Sequence, residues 1–443
     1  MAGKKKQAQL TPEEKLQQAL VPEAEQPYKV PANWCWTYVK YVSEVVTGGT
    51  PSKKHTEYYS GNFPFFKPAD LDAERYVYDA SEYLSEEGKK VSRIIPKYST
   101  AVCCIGSIGK SGYLEVEGTT NQQINSAIPK FNSLYLYYFI KSEYFIEQLW
   151  RKASATTISI VNKSKMEDCV FPLPPLTEQQ RIVERIESLF AKLDEAKEKL
   201  QNVLDGFETR KAAILHKAFT GELTAKWRKQ HGISMDSWEE KKLGKIVKNI
   251  KDKYEPTLNN KKCIKYIGLE HIEKNNGIIG FGSSDDVKSL KTIFELGDIL
   301  YGKLRPYLNK HDIAKFSGIC STDILVYRAE DFNTAKFINY FMNTEKFIFY
   351  TVSNSKGINL PRISEKEVSG ILVNVPTLSE QSEIVRIIDG LFAKEQQAKE
   401  LAENVLAKID LIKKAILARA FRGELGTNNP ADEPAVELLK RVL

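Results

Sequence analysis

Apolar positions recur twice along this chain in the same rhythm. In the first stretch they fall at Ile182, Ile186, Leu189, Leu193, Ala196, Leu200, Val203 and Phe207, alternating steps of four and three. That is a heptad seam held for more than three heptads. The second stretch places Ile384, Ile388, Leu391, Ala398, Ala402, Val405, Ile409, Ile412 and Ile416 on the same pattern, interrupted by Glu395. A polar residue on a seam helps set register. Pro174 and Pro175 bar an earlier start to the first helix, and Thr177 with Gln180 fits a capping box. Gly221 and Gly423 stand where each helix should end. Each helix should run about 40 residues, or ~60 Å. One seam cannot be buried alone, so the two are expected to bury each other. With a folded domain between them, an antiparallel pairing is favoured. The alternative, each helix packed on its own domain, seldom keeps a 3.5-residue period so long.

The two stretches are copies. Leu176–Leu223 aligns without a gap on Leu378–Leu425 at an offset of 202, and 25 of the 48 positions are identical. The sequence before each copy corresponds only at its ends. A Trp-led segment opens each half, at Asn33 and at Ser237, and a Pro-containing run closes it, at Val170 and at Leu372. The intervening domains have diverged almost completely. The fold class expected is α+β: two α+β domains separated by two long helices that pair as an antiparallel coiled coil, with an internal pseudo-two-fold repeat. The expected division is a tail with a short helix at 1–30, a first domain at 31–175, a central helix at 176–222 and a linker at 223–236. A second domain follows at 237–377, a second helix at 378–424 and a tail with a short helix at 425–443.

Composition narrows the class. The chain has 443 residues, 42% apolar and 27% charged, with a net charge of +7. This is a soluble, globular balance with a mild basic excess that permits a nucleic-acid partner without demanding one. No apolar run reaches the ~18–20 residues needed to span a bilayer. The N-terminal Lys4, Lys5 and Lys6 precede no apolar core of a signal peptide, so a cytoplasmic protein with no membrane partner is expected. Cys35, Cys103, Cys104, Cys169, Cys263 and Cys320 form no C-x-x-C pair, and the five histidines do not cluster. Reduced thiols and no metal site are expected.

The tandem L-[ST]-E-Q…I-V…L-F-A-K helices, each after a variable domain, resemble type I restriction–modification specificity subunits. Gly48–Ser52 (GGTPS), Thr119–Gln123 (TTNQQ) and Tyr301–Tyr307 (YGKLRPY) are similar to members of that family. The likeness runs from about Pro31 to Leu425. It implies two target recognition domains, each reading one half of a split, asymmetric double-stranded DNA site. It implies paired helices that set the gap and dock two methyltransferase subunits, and an assembly completed by restriction/translocase subunits. S-adenosylmethionine and ATP would belong to those partners, leaving no cofactor on this chain. Arg181 in the first copy corresponds to Glu383 in the second, so the two helix surfaces differ in charge.

Four loops supply side chains suited to base edges and phosphates. The first carries Thr50, Ser52, Lys53, Lys54 and His55; the second, Ser107, Lys110, Asn121, Gln122 and Gln123. The third carries Lys303, Arg305, Tyr307, Asn309 and Lys310; the fourth, Lys356, Asn359 and Arg362. The aromatic runs Leu134–Ile140 and Phe337–Tyr350 read as helix cores. Catalytic motifs are missing. The only Asn-Pro, Asn429–Pro430, is followed by Ala431, so the N-P-P-[FYW] of an adenine methyltransferase is absent. Gly109–Ser111 (GKS) would need glycine at Cys104 to be a phosphate loop. A non-catalytic DNA-reading subunit is therefore expected. A protein-only coiled-coil scaffold and a self-contained methyltransferase or nuclease are the alternatives.

Overall fold

A computed structural model describes residues 11–72, 76–154, 158–256, 264–274 and 276–443. Lys4, Lys5, Lys6 and Cys263 lie outside the described residues. The chain divides into two compact units. One runs through Lys199 and resumes at Val405–Leu443; the other is Leu200–Asn404. Both boundaries cut the long helices, so a helix half belongs to each unit, where the sequence reading set helices apart from domains.

In the first unit the Trp-led opening and the Pro-containing close are neighbours. Cys35–Tyr38 pairs antiparallel with Val170–Leu173. The main sheet orders Ser43–Thr47, Ile124–Pro129, Thr100–Cys103, Ser111–Leu114 and Tyr76–Val77. The second unit repeats the plan. Glu239–Lys242 pairs antiparallel with Leu372–Val375, and a four-stranded sheet orders Lys248–Ile250, Ile324–Arg328, Ile299–Gly302 and His311–Ile313. A further five-stranded sheet, starting at Lys253–Tyr254, also belongs to this unit.

The aromatic runs form helices as their period requires: Ser133–Lys141 and Glu143–Lys152 in one unit, Phe332–Phe341 and Glu345–Ser353 in the other. They bury the start of the long helix that follows. Tyr135, Phe139, Phe171, Ile182 and Ile186 share one core, and Phe337, Phe341, Val373, Ile384 and Ile388 share the other.

The first long helix is Leu176–Asp205 followed by Phe207–Phe219; the second is an unbroken 43 residues, Leu378–Ala420. Gly206 marks the interruption, and a Cβ there would lie 2.4 Å from the Arg210 guanidinium. Arg210 uses that space to donate to the Val203 carbonyl (2.9 Å) and to Glu395 (2.8 Å). The polar seam residue is thus matched by a cation from the other long helix.

Helix pairing is antiparallel inside each unit. In the first, Ile182 and Ile186 pack with Leu417, Ala420 and Phe421, while Asp194, two turns further on, meets Lys413. In the second, Leu215 and Ala218 pack with Ile384 and Ile388, while Arg210 meets Glu395 and Lys399 lies over Phe207. The seam is therefore shared. Its ends meet the other helix and enter the domain cores as well. Leu189, Leu193, Leu200, Leu391 and Val405 are half-buried, and Phe207 and Ile409 buried. Val203, Ala398 and Ile412 are corrections: all three are exposed, because a straight helix drifts from a strict 3.5-residue repeat.

The capping box is also corrected. Thr177 is exposed inside the first turn. Gln179 instead reaches back to the Pro174 carbonyl (3.1 Å), as Gln381 does to Pro376 (2.9 Å). Gly221 and Gly423 follow the helices at φ +81° and +73°, a left-handed conformation open to glycine. Short helices lie in both tails, Pro12–Ala19 and Ala435–Lys440. None of the described helices is long and apolar enough to cross a membrane.

Candidate nucleic-acid interface

Each unit presents a hairpin loop flanked by two further loops. In the first unit the hairpin joins Thr100–Cys103 to Ser111–Leu114. Its turn is closed by Cys103 N–H on the Lys110 carbonyl and Gly109 N–H on the Cys103 carbonyl. Glycine at 106 and 109, φ +78° and +88°, permits the tight return. The GKS segment is thus a hairpin end. Ser107 at its tip is exposed and Lys110 half-buried.

The 119–123 segment lies against this hairpin, since Cys104 N–H donates to the Gln123 carbonyl at 2.7 Å. The 48–58 loop lies against it from the other side. Gly48 N–H and Gly49 N–H bond to the Ile124 and Thr120 carbonyls, and the Thr50 hydroxyl donates to Gln122. A Cβ at Gly48 would sit 2.2 Å from the Asn121 carbonyl oxygen, so that close approach requires glycine. Three separate sequence segments therefore converge. Thr50, Ser52, Lys53, Lys54, His55 and Gln122 are exposed there and Gln123 is half-buried. His55 stacks on Tyr58 at 4.9 Å and bonds Glu57 at 2.8 Å. Asn121 is buried, its amide spent on Gln123.

The second unit repeats the hairpin and the segment bonded to it. Its hairpin joins Ile299–Gly302 to His311–Ile313. Lys303 N–H bonds the Asp323 carbonyl, and Arg305 N–H bonds the Pro361 carbonyl. Isolated bridges tie Leu304 to Arg362 and Lys356 to Arg362. Arg305, Tyr307, Lys356, Asn359 and Arg362 are exposed, and Lys303 half-buried. Arg362 pairs with Asp323 at 3.3 Å. Arg305 and Asn309 hold left-handed φ values of +53° and +41°, uncommon outside glycine.

Two sequence-selected side chains here turn inward. Lys310 donates to the Leu269 carbonyl at 2.7 Å. Buried Asn309 donates to the Met342 carbonyl (3.0 Å) and to Nε2 of His311 (3.2 Å), whose Nδ1 meets Asn339 at 2.8 Å. Burial holds the His311 pKa below its usual 6.5, and both ring nitrogens are satisfied by a neutral imidazole.

Sequence reasoning missed one loop. Ser154 and Ile160 bridge each other, and Ile105 bridges Ile160. At the repeat offset of 202 these are Lys356 and Arg362, so the fourth loop has a partner in the first unit. The arithmetic of the repeat could have found it; the divergent side chains hid it. Arg93 was missed as well. It is exposed, its guanidinium donates to the Thr47 carbonyl, and nothing periodic marks it.

Four of the described cysteines are poor thiolate candidates. Burial pushes the thiols of Cys35, Cys104, Cys169 and Cys320 up to about 12, far from thiolate chemistry. Among the described residues no cluster of three His, Cys, Asp or Glu could hold a metal.

A family model, the type I restriction modification DNA specificity domain, matches residues 31–205 and again residues 235–405. The chain is 31% identical over 323 residues to the type I restriction enzyme EcoDI specificity subunit of Escherichia coli, spanning 68% of this chain and 72% of that one. It is 26% identical over 436 residues to the StySPI specificity subunit of Salmonella potsdam, spanning 92% of each. Among solved structures, the HsdS subunit from Thermoanaerobacter tengcongensis shares the fold, with a TM-score of 0.66 at 17% identity over 90% of this chain and all of that one.

Proposed function

We propose, from the premise that this chain belongs to the family of type I restriction–modification DNA specificity subunits, that it reads a split, asymmetric DNA site with one recognition unit per half-site. DNA specificity is the role of the family. The observation supporting a two-headed version of it is the repeated hairpin with flanking loops, built alike in both units but carrying different side chains. Ser, Thr and Gln dominate around one hairpin, whereas Arg and Lys dominate around the other. Different side chains on one frame read different bases.

The exposed or half-buried loop residues are the proposed DNA contacts: Thr50, Ser52, Lys53, Lys54, His55, Ser107, Lys110, Gln122 and Gln123 for one half-site, and Lys303, Arg305, Tyr307, Lys356, Asn359 and Arg362 for the other. Asn121, Asn309 and Lys310 serve by shaping their loops. The paired helices space the half-sites and dock two methyltransferase subunits, which bring S-adenosylmethionine. Restriction/translocase subunits bring ATP. This chain catalyses nothing itself and works in the cytoplasm.

The test is reconstitution with the cognate methyltransferase subunits, followed by genome-wide mapping of methylated adenines. One motif made of two unrelated half-sites around a fixed gap is expected. A single uninterrupted motif would overturn the two-head reading.

A further inference from the structure

The two units differ in one covered surface. In the first, the segment before the domain, Leu20–Pro31, lays Tyr28 against the end of the second long helix. The Tyr28 hydroxyl donates to the Phe421 carbonyl at 3.2 Å, its ring meets Trp36 (4.9 Å) and Tyr144 (5.6 Å), and Arg422 lies over it at 5.4 Å. At the repeat offset of 202, Phe421, Arg422 and Tyr144 become Phe219, Thr220 and Lys346. Those three residues line a cavity of about 660 Å³ in the second unit, with Ala213, Phe341 and Asn374.

Among the described residues, the second unit's equivalent of Tyr28 carries no side chain. Trp34 and Trp238 are equivalent, each donating to its buried glutamate. Pro31 packs on Gly423 as Met235 packs on Gly221. Both pairs give an offset of 204, which sets Gly232 opposite Tyr28. Gly232 is the left-handed residue ending the helix Ala225–His231. One ion pair differs too. In the first unit Lys414 bridges Glu143 at 2.9 Å; the equivalents are Ala212 and Glu345, and both line an open groove.

We infer that this groove in the second unit is a docking site for a segment of a partner protein that carries a tyrosine preceded by acidic residues, as Leu20–Pro31 does in the first unit. Glu23 and Glu25 precede Tyr28 in the resident segment, and the empty groove offers Lys217 and Lys346 against Glu345. The site is independent of DNA reading and uses none of the loop residues assigned to it.

The probe is a fluorescent peptide with the sequence of Leu20–Pro31, added to the full chain and followed by anisotropy. Saturable binding is expected, weakened about ten-fold or more when the peptide carries Y28A, since a buried aromatic anchor dominates such contacts. A213W fills the groove from an exposed position and K346E reverses its charge; both should abolish binding while leaving the melting transition unchanged. A photoreactive group at the tyrosine should label residues 209–220 or 341–346. No saturable binding, binding indifferent to both variants, or labelling at Tyr144 and Phe421 by exchange with the resident segment would each overturn the inference.

Discussion

Glu178 and Glu380 hold the same place in their units, yet different chemistry satisfies them. Both are fully buried in the first turn of a long helix and accept from a tryptophan indole, Trp34 at 2.7 Å and Trp238 at 3.0 Å. Glu178 completes its shell with the neutral groups of Asn428 (2.8 Å) and Thr427 (3.3 Å). Glu380 takes the Thr224 hydroxyl (2.6 Å) and the guanidinium of Arg228, itself buried. In each unit the donors come from the chain just after the other long helix. The shared demand is geometric: a carboxylate fastening a helix start to a helix end. The charge of the donor is free to vary. The loops obey the same rule, with a fixed frame and free side chains.

The largest effect should come from exchanging the frame's cargo. Replacing residues 31–175 with another recognition domain should change one half-site completely and leave the other intact, with methylated-adenine mapping as the readout. Altered half-sites on both sides would break the comparison. Next is Arg228→Met. It leaves Glu380 buried without its cation, costing about 3–5 kcal/mol. Hydrogen exchange should localise the loss to the second unit. Asn428→Ala removes a neutral donor from Glu178 and should cost only about 1–3 kcal/mol, in the first unit. Equal costs would mean that the cation adds nothing beyond a hydrogen bond.

Acid should also separate the units. The folded His311 pKa lies below the unfolded value of 6.5, so the unfolded state binds protons first. The second unit should keep full stability above that value and lose it as pH falls from about 6.5 toward the folded pKa. The equivalent hairpin strand in the first unit begins with Ser111 and carries no such histidine. H311S should flatten the difference in exchange rates between pH 7.5 and pH 5. The smallest effect is at single loop residues. Arg305→Ala should lower the slope of log affinity against log salt by about one if it meets a phosphate. An unchanged slope would place it away from the backbone.

Much of this was legible without coordinates. The 202-residue offset, the helix ends at Gly221 and Gly423, and the aromatic helix cores all rest on local periodicity and local backbone preference. The loops were legible as places but less so as contacts. Lys310 and Asn309 look, in sequence, like any other loop donors. Their inward turn depends on the carbonyls of Leu269 and Met342, 41 and 33 residues away. The loop at Ser154–Ile160 escaped notice because its side chains carry no charge, though its position follows from the repeat.

By itself the sequence determined the duplicated architecture, because heptad spacing and helix-ending glycines act over a few residues and survive copying. The tertiary structure alone decided where the seam enters the domain cores, and which of two equivalent carboxylates receives a cation. It also decided which loop donors stay free. Those outcomes rest on contacts between residues up to 250 positions apart, and burial of a polar group is settled only once its distant partner has arrived.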